Sequence, residues 1–157
     1  MIPFDQDGNI PPGIHQYTYV DFRHQFVEVF PTSKTRTEIH HLSLLWLAEV
    51  RRHVQPLELW VSGEFISVEQ NPHLIEMCLF IHPHGLDPKK ADNCLQLVND
   101  ASSFRSRCYF GFCDREKPHD PLAIGPYYWT EQFGFDAQQI PKGIILLPWN
   151  EVLTALD

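Results

Sequence analysis

The sequence predicts a single α/β domain, a short mixed sheet flanked by helices, spanning residues 1–157. Three observations carry that reading. A helix-like stretch after Thr35 places Ile39, Leu42, Trp46 and Val50 at spacings of three and four, the mark of one buried face. "LELWVS" (57–62) and "LIEMCLFI" (74–81) are strand-like, and the second is apolar on both of its faces. Helical and strand-like segments then follow in the order helix, helix, strand, turn, strand, helix, strand, with no repeat, low-complexity tract or internal boundary. A chain of 157 residues is long enough for one sizeable core.

Residues 1–16 hold three prolines and two glycines and read as an irregular arm. Its "DGN" favours a tight turn, and Ile2, Phe4, Ile10 and Ile14 give it apolar anchors. Thr18 and Asp21 are spaced as a cap and its third helical residue, so a short helix is expected over 19–30, ended by Pro31. Thr35 and Glu38 form a capping box for the next helix. On that helix Leu45 lies beside the buried face, while His40, His41, Arg51 and Arg52 fall toward solvent, and Pro56 marks its stop. In the strand over 74–81, Leu74, Glu76, Cys78 and Phe80 share one face, with Glu76 its only charge. Such a charge needs a partner, a metal or a place at the rim. Asp87 then Pro88 read as an N-cap and first helical residue, with Ala91, Cys94, Leu95 and Val98 as the apolar stripe. "RCYFGFC" (107–113) is a third strand, "PYYWTEQFGFD" (126–136) contains a short helix, and "PKGIILLP" (141–148) is a last strand that ends the regular structure.

Composition narrows the function. A formal net charge of −8 argues against a large nucleic-acid interface, which needs a basic face, and is compatible with a basic protein partner. No apolar run approaches the roughly 20 residues that cross a bilayer, and no basic-then-apolar leader opens the chain. Cys78, Cys94, Cys108 and Cys113 have no C-x-x-C spacing, which points to four free thiols in a reducing, cytoplasmic setting.

Three stretches together resemble a bacterial family of nucleotidyltransferase-like proteins. "IPFDQDGNIPPGIH" looks like that family's proline-rich arm, and "WTEQFGFDAQQIPKGIILL" like its P-K-G-I ending. Between them, "GEFISVEQNPHLIEM" lies where the family carries a pattern close to G-S-F-V-T-x-K-x-x-P-x-D-I-D. Gly63, Phe65, Ile66, Ser67 and Pro72 fit that pattern or its near equivalents. Glu64 stands in place of the Ser, Glu69 of the Lys, Leu74 of the first Asp and Glu76 of the second.

The resemblance implies a nucleotidyltransferase-like core whose Gly-Ser turn holds phosphates and whose paired aspartates hold Mg²⁺. A third carboxylate on a neighbouring strand normally assists; Asp114 is the one candidate here. By that carry-over Gly63 and Ser67 would meet a nucleotide, and Glu76 would be the surviving metal ligand. Yet Glu64 would set a negative charge against a polyphosphate, a repulsion of roughly 4 kcal/mol at 4 Å and an effective dielectric near 20. Leu74 offers a metal no lone pair. The expectation is therefore a nucleotidyltransferase frame with an eroded site and no cofactor, acting through a protein partner, with room left for a nucleotide. Folds of this size suggest, by analogy alone, a bacterial toxin–antitoxin or phage-defence setting. The alternative is an active, toxin-like metal-dependent nucleotidyltransferase in which Glu64 and Glu76 form a new carboxylate pair binding Mg²⁺.

Other constellations weigh less. His82 and His84 form an H-x-H pair without a third ligand at recognisable spacing, and read as surface histidines before they read as a metal site. No cysteine has the surroundings of an activated nucleophile. Tyr127, Tyr128, Trp129, Phe133 and Phe135 could stack bases, but lack interleaved Arg or Lys, so core packing or a protein interface is the better reading.

Overall fold

The computed structural model describes residues 1–82, 84, 86–113 and 125–157. Five strands, β1 (Gly13–Gln16), β2 (Glu58–Ser62), β3 (Ile75–Ile81), β4 (Ser106–Phe112) and β5 (Gly143–Pro148), form one sheet in the order β1-β5-β2-β3-β4. The β1–β5 and β3–β4 pairs are parallel, and β2 runs antiparallel to both β3 and β5, so the sheet is mixed. The helices are α1 (Tyr19–Arg23), α2 (Arg36–His53), α3 (Pro88–Asp100), α4 (Pro126–Phe133) and α5 (Trp149–Leu156).

The two-residue period of β3 divides the core. Ile75, Met77 and Leu79 join Leu59, Val61, Ile145 and Leu147 on one face, packed against Ile39, Trp46, Leu47 and Val50 of α2 and Val152 of α5. Cys78 and Phe80 join Trp60 and Ile144 on the other, under Trp129 and Phe133 of α4. Both faces are therefore covered, as the doubly apolar pattern requires.

Several local expectations are corrected. The arm is less irregular than its prolines suggest: Gly13–Gln16 pairs with β5, because Pro11 and Pro12 stop just short of the strand and leave its N–H groups free. Ile10 is buried, but Ile14 points outward. Thr18 does cap α1, its hydroxyl accepting from the Asp21 N–H at 3.1 Å, but the helix is shorter than 19–30 and passes into a π-helical turn over His24–Glu28.

On α2 the predicted capping box does not form. Ser33 Oγ takes the Thr35 and Arg36 N–H groups, Thr35 Oγ1 is buried without a partner among the described residues, and Glu38 turns to Arg105 at 2.8 Å. The buried stripe is Ile39, Ser43, Trp46, Leu47 and Val50, with Leu45 outside it. His40 is drawn inward by a 2.7 Å bond to the Tyr19 hydroxyl. On α3 Asp87 caps as expected, accepting from the Lys90 N–H at 2.8 Å, but Leu95 is exposed and Leu97 packs on the core instead. The chain does not end its regular structure with β5; α5 follows at once and buries Trp149 and Val152. The four cysteines are free thiols, and among the described residues no helix is long and apolar enough to cross a membrane.

Candidate functional site

The residues singled out by the sequence converge where β2 ends and β3 and β4 begin. Register sets the row: Ser62 lies opposite Glu76, and Glu76 opposite Arg107, so the three share a face. Arg107 Nη1 donates to Glu76 Oε1 at 2.9 Å, with the carboxylate side chain one-quarter exposed. Ser62 Oγ donates to the Phe133 carbonyl at 3.0 Å and ties α4 to the same row.

Gly63 turns the chain with φ +83° and ψ −167°, a conformation open essentially to glycine alone. A Cβ there would stand 2.9 Å from Glu76 Oε2. Gly63 thus makes room for the Glu76 carboxylate. The helix that a phosphate-holding turn would open is here a single 3₁₀ turn, Glu64–Ile66. Its neighbourhood spends its own donors: the Ser67 N–H goes to the Glu64 carbonyl at 3.1 Å and the Val68 N–H to Gly8 at 2.9 Å. Ser67 Oγ donates to the Glu64 carbonyl at 2.7 Å and accepts from the Glu69 N–H at 3.1 Å. The Glu64 carboxylate folds back on His73, accepting its N–H at 3.3 Å and lying 3.2 Å from Nδ1.

Glu64 and Glu76 are therefore each engaged, one by His73 and the other by Arg107. Leu74 precedes β3 and lines a groove beside β4. Asp114 lies outside the described residues. His82 and His84 have ring centres 5.0 Å apart, and among the described residues no group of three His, Cys, Asp or Glu side chains is placed to hold a metal ion. Burial pushes the Cys78 and Cys108 thiols well above the usual range, the opposite of an activated nucleophile. The aromatic stretch splits: Trp129 and Phe133 enter the core, while Tyr127, Tyr128 and Phe135 stay exposed.

Sequence reasoning missed two cations of this site. Lys142, from the P-K-G-I ending, is only 8% exposed, and its amine feels Glu76, Asp136 and Glu64. Burial lowers its pKa, and those three carboxylates oppose the shift. No hydrogen bond or ion pair joins that amine to a described residue. Asp136 is itself held by the N–H groups of Ile140 and Gln138, both at 2.9 Å, and by Asn9, which keep its carboxyl below the ordinary carboxylate range. The signal for Lys142 was a lone ammonium opening an otherwise apolar strand. Arg107 carried no signal until β3 and β4 were known as neighbours in register.

This donor set fits Mg²⁺ poorly. The ion wants near-octahedral oxygen ligands on an open carboxylate pair. Here Glu76 already faces a guanidinium, Leu74 donates nothing, and a buried ammonium adds a second positive charge.

A family model described as a family of unknown function, DUF6932, matches residues 2–148. No curated protein and no solved structure matches the chain. With 147 of its residues under that match, from the proline-rich arm through β5, the chain belongs to the DUF6932 family.

Proposed function

We propose that this chain is a non-catalytic binding or regulatory protein built on a nucleotidyltransferase-like frame. The observation that carries the reading is the Glu76–Arg107 pair: the strand beside Glu76 offers it a guanidinium at 2.9 Å where metal chemistry needs a further carboxylate. Lys142 supports it, because its amine supplies to Glu64, Glu76 and Asp136 the positive charge a cation would otherwise bring. The turn at Gly63 supports it as well, since the Ser67 hydroxyl is spent on the Glu64 carbonyl and the Glu69 N–H rather than left for a phosphate.

The partner inferred is a protein. The cytoplasm fits four free thiols, and a toxin–antitoxin or phage-defence module is the setting inferred by analogy of fold. Calorimetric titration with ATP, GTP, CTP and UTP, each with Mg²⁺ or Mn²⁺, tests the reading. No metal-dependent binding is expected. Tight metal-dependent binding that Glu76→Gln abolishes would overturn this reading and favour the remodelled carboxylate site.

A further inference from the structure

We propose that the groove beside β4 binds the phosphate group of a small organic phosphomonoester, without a metal ion. The site stands apart from the question of whether the row holding Glu64 and Glu76 is catalytic. The groove has a volume of about 380 Å³, within the range of small-molecule sites. His73 lines it from the lead-in to β3, Ser102 and Arg105 from the turn between α3 and β4, and Arg107 and Tyr109 from β4 itself. Among the described residues no carboxylate lines it, although the whole chain carries −8.

Both guanidiniums are held before any ligand arrives. Arg105 gives Nε to the His73 carbonyl at 3.1 Å and Nη1 to Glu38 at 2.8 Å. Its backbone is left-handed, with φ +50°, at a helix end where glycine is usual. Arg107 gives Nη1 to Glu76 at 2.9 Å. Neither arginine makes a hydrogen bond through Nη2 to a described residue, and the Ser102 and Tyr109 hydroxyls make none either. Four donors therefore remain open around one groove. Two-residue spacing puts Arg107 and Tyr109 on the same face of β4, and the Tyr109 ring packs on Trp129 with centres 4.8 Å apart. Ordering long side chains is a main cost of binding, and these are already ordered.

Charge and shape choose the ligand. Glu38 and Glu76 pair with the guanidiniums but lie outside the groove lining. An anion in the groove touches a guanidinium directly and meets those carboxylates roughly twice as far away, so by the inverse-distance law they cancel only about half of the attraction. A carboxylate ligand offers two oxygens in one plane, which a single guanidinium fork satisfies. A phosphate monoester offers three terminal oxygens and about 1.5 to 2 negative charges, enough for donors that come from both a turn and a strand. Leu74 and Val98 give the groove an apolar part for the organic group of the ester. A polynucleotide is the poorer occupant, because the acidic chain beyond the groove repels a run of phosphates.

The test is calorimetric titration of the intact protein with phenyl phosphate in EDTA, beside inorganic phosphate, benzoate and phenol. Saturable one-to-one binding of phenyl phosphate is expected, weakening as salt rises. Inorganic phosphate should bind at least about threefold more weakly, and benzoate and phenol at least about tenfold more weakly. Ser102→Asp sets a carboxylate in the groove and should weaken binding by about tenfold or more, and Arg107→Gln by about three- to tenfold. Both positions are exposed, so neither change disturbs the core. Arg52→Gln removes an equal charge from outside the groove and should leave binding unchanged. Glu76→Gln removes the carboxylate paired with Arg107 and should tighten binding by about two- to threefold, the opposite of its effect on a metal site. Absence of saturable binding would overturn the proposal. So would binding that needs a divalent ion, that benzoate or inorganic phosphate matches, that ignores Ser102→Asp and Arg107→Gln, that Arg52→Gln weakens equally, or that Glu76→Gln loosens. The nucleotide titrations turn on metal dependence and this one excludes metal, so the two readings can fail separately.

Discussion

Arg36 is wholly buried, and its guanidinium donates to backbone carbonyls: those of Phe26 at 2.7 Å, Phe65 at 2.6 Å, Ser67 at 2.8 Å, and Glu69. It stacks on Phe30 with its central carbon 3.8 Å from the ring centre, and burial lowers its pKa to about 10. One planar fork thereby fixes the whole turn between β2 and β3. Arg36→Ala strands those carbonyls in the interior and should cost about 3–5 kcal/mol in urea unfolding. Arg36→Lys should recover only a minor part, since a point ammonium cannot span four acceptors. His40 gives a pH signature. Burial lowers its pKa from 6.5 to about 4, so the unfolded chain takes up a proton first as pH falls. Stability is full above the unfolded value and is lost downward through the folded one. Denaturant unfolding should reveal a loss of about 2 kcal/mol from about pH 7.5 to about pH 5, and His40→Gln should remove that part of the slope. A slope unchanged in the variant would assign the effect elsewhere.

At the scale of elements, the sequence disclosed types better than ends. The strand reading of 74–81 succeeded because its doubly apolar pattern has few other solutions once a charge sits at its rim, and Asp87–Pro88 succeeded because that cap is local chemistry. The cap of α2 failed because the Ser33 and Thr35 hydroxyls compete there and only tertiary packing chooses between them. Ser33 also lies near Asn71, whose Oδ1 takes the Lys34 N–H at 2.7 Å, so the loop after β2 decides which hydroxyl caps. Ser33→Ala should therefore cost about 1 kcal/mol, whereas Thr35→Val should be neutral or stabilising, because it removes a buried hydroxyl that has no partner among the described residues. Equal losses in thermal or urea unfolding would restore the capping box. The Gly63 turn belongs to the same scale. Gly63→Ala forces a Cβ into a glycine-only conformation and against Glu76, for an expected loss of about 1–3 kcal/mol.

Across the whole molecule, what stayed hidden was assembled from distant parts. The rim row was half legible, since Gly63 and Glu76 announce themselves, but Lys142 and Asp136 reach it from the far end of the chain. The last helix was hidden for another reason: "WNEVLTAL" is short and follows a proline, yet it buries Trp149 and Val152 against β2 and α2 and lends Glu151 to the Tyr19 N–H at 3.0 Å. The family match ends at residue 148, before this helix begins. If α5 is part of the core, a chain ending at Pro148 exposes the face that Trp149 and Val152 cover and leaves α1 without its brace. Burial of two such side chains is worth about 1.5–3 kcal/mol each, a large share of the roughly 5–15 kcal/mol that holds a domain together. The shortened chain should lose its near-ultraviolet dichroism and its cooperative calorimetric transition. A transition within a few degrees of the full chain's would instead make α5 an appendage, and the fold would close at β5.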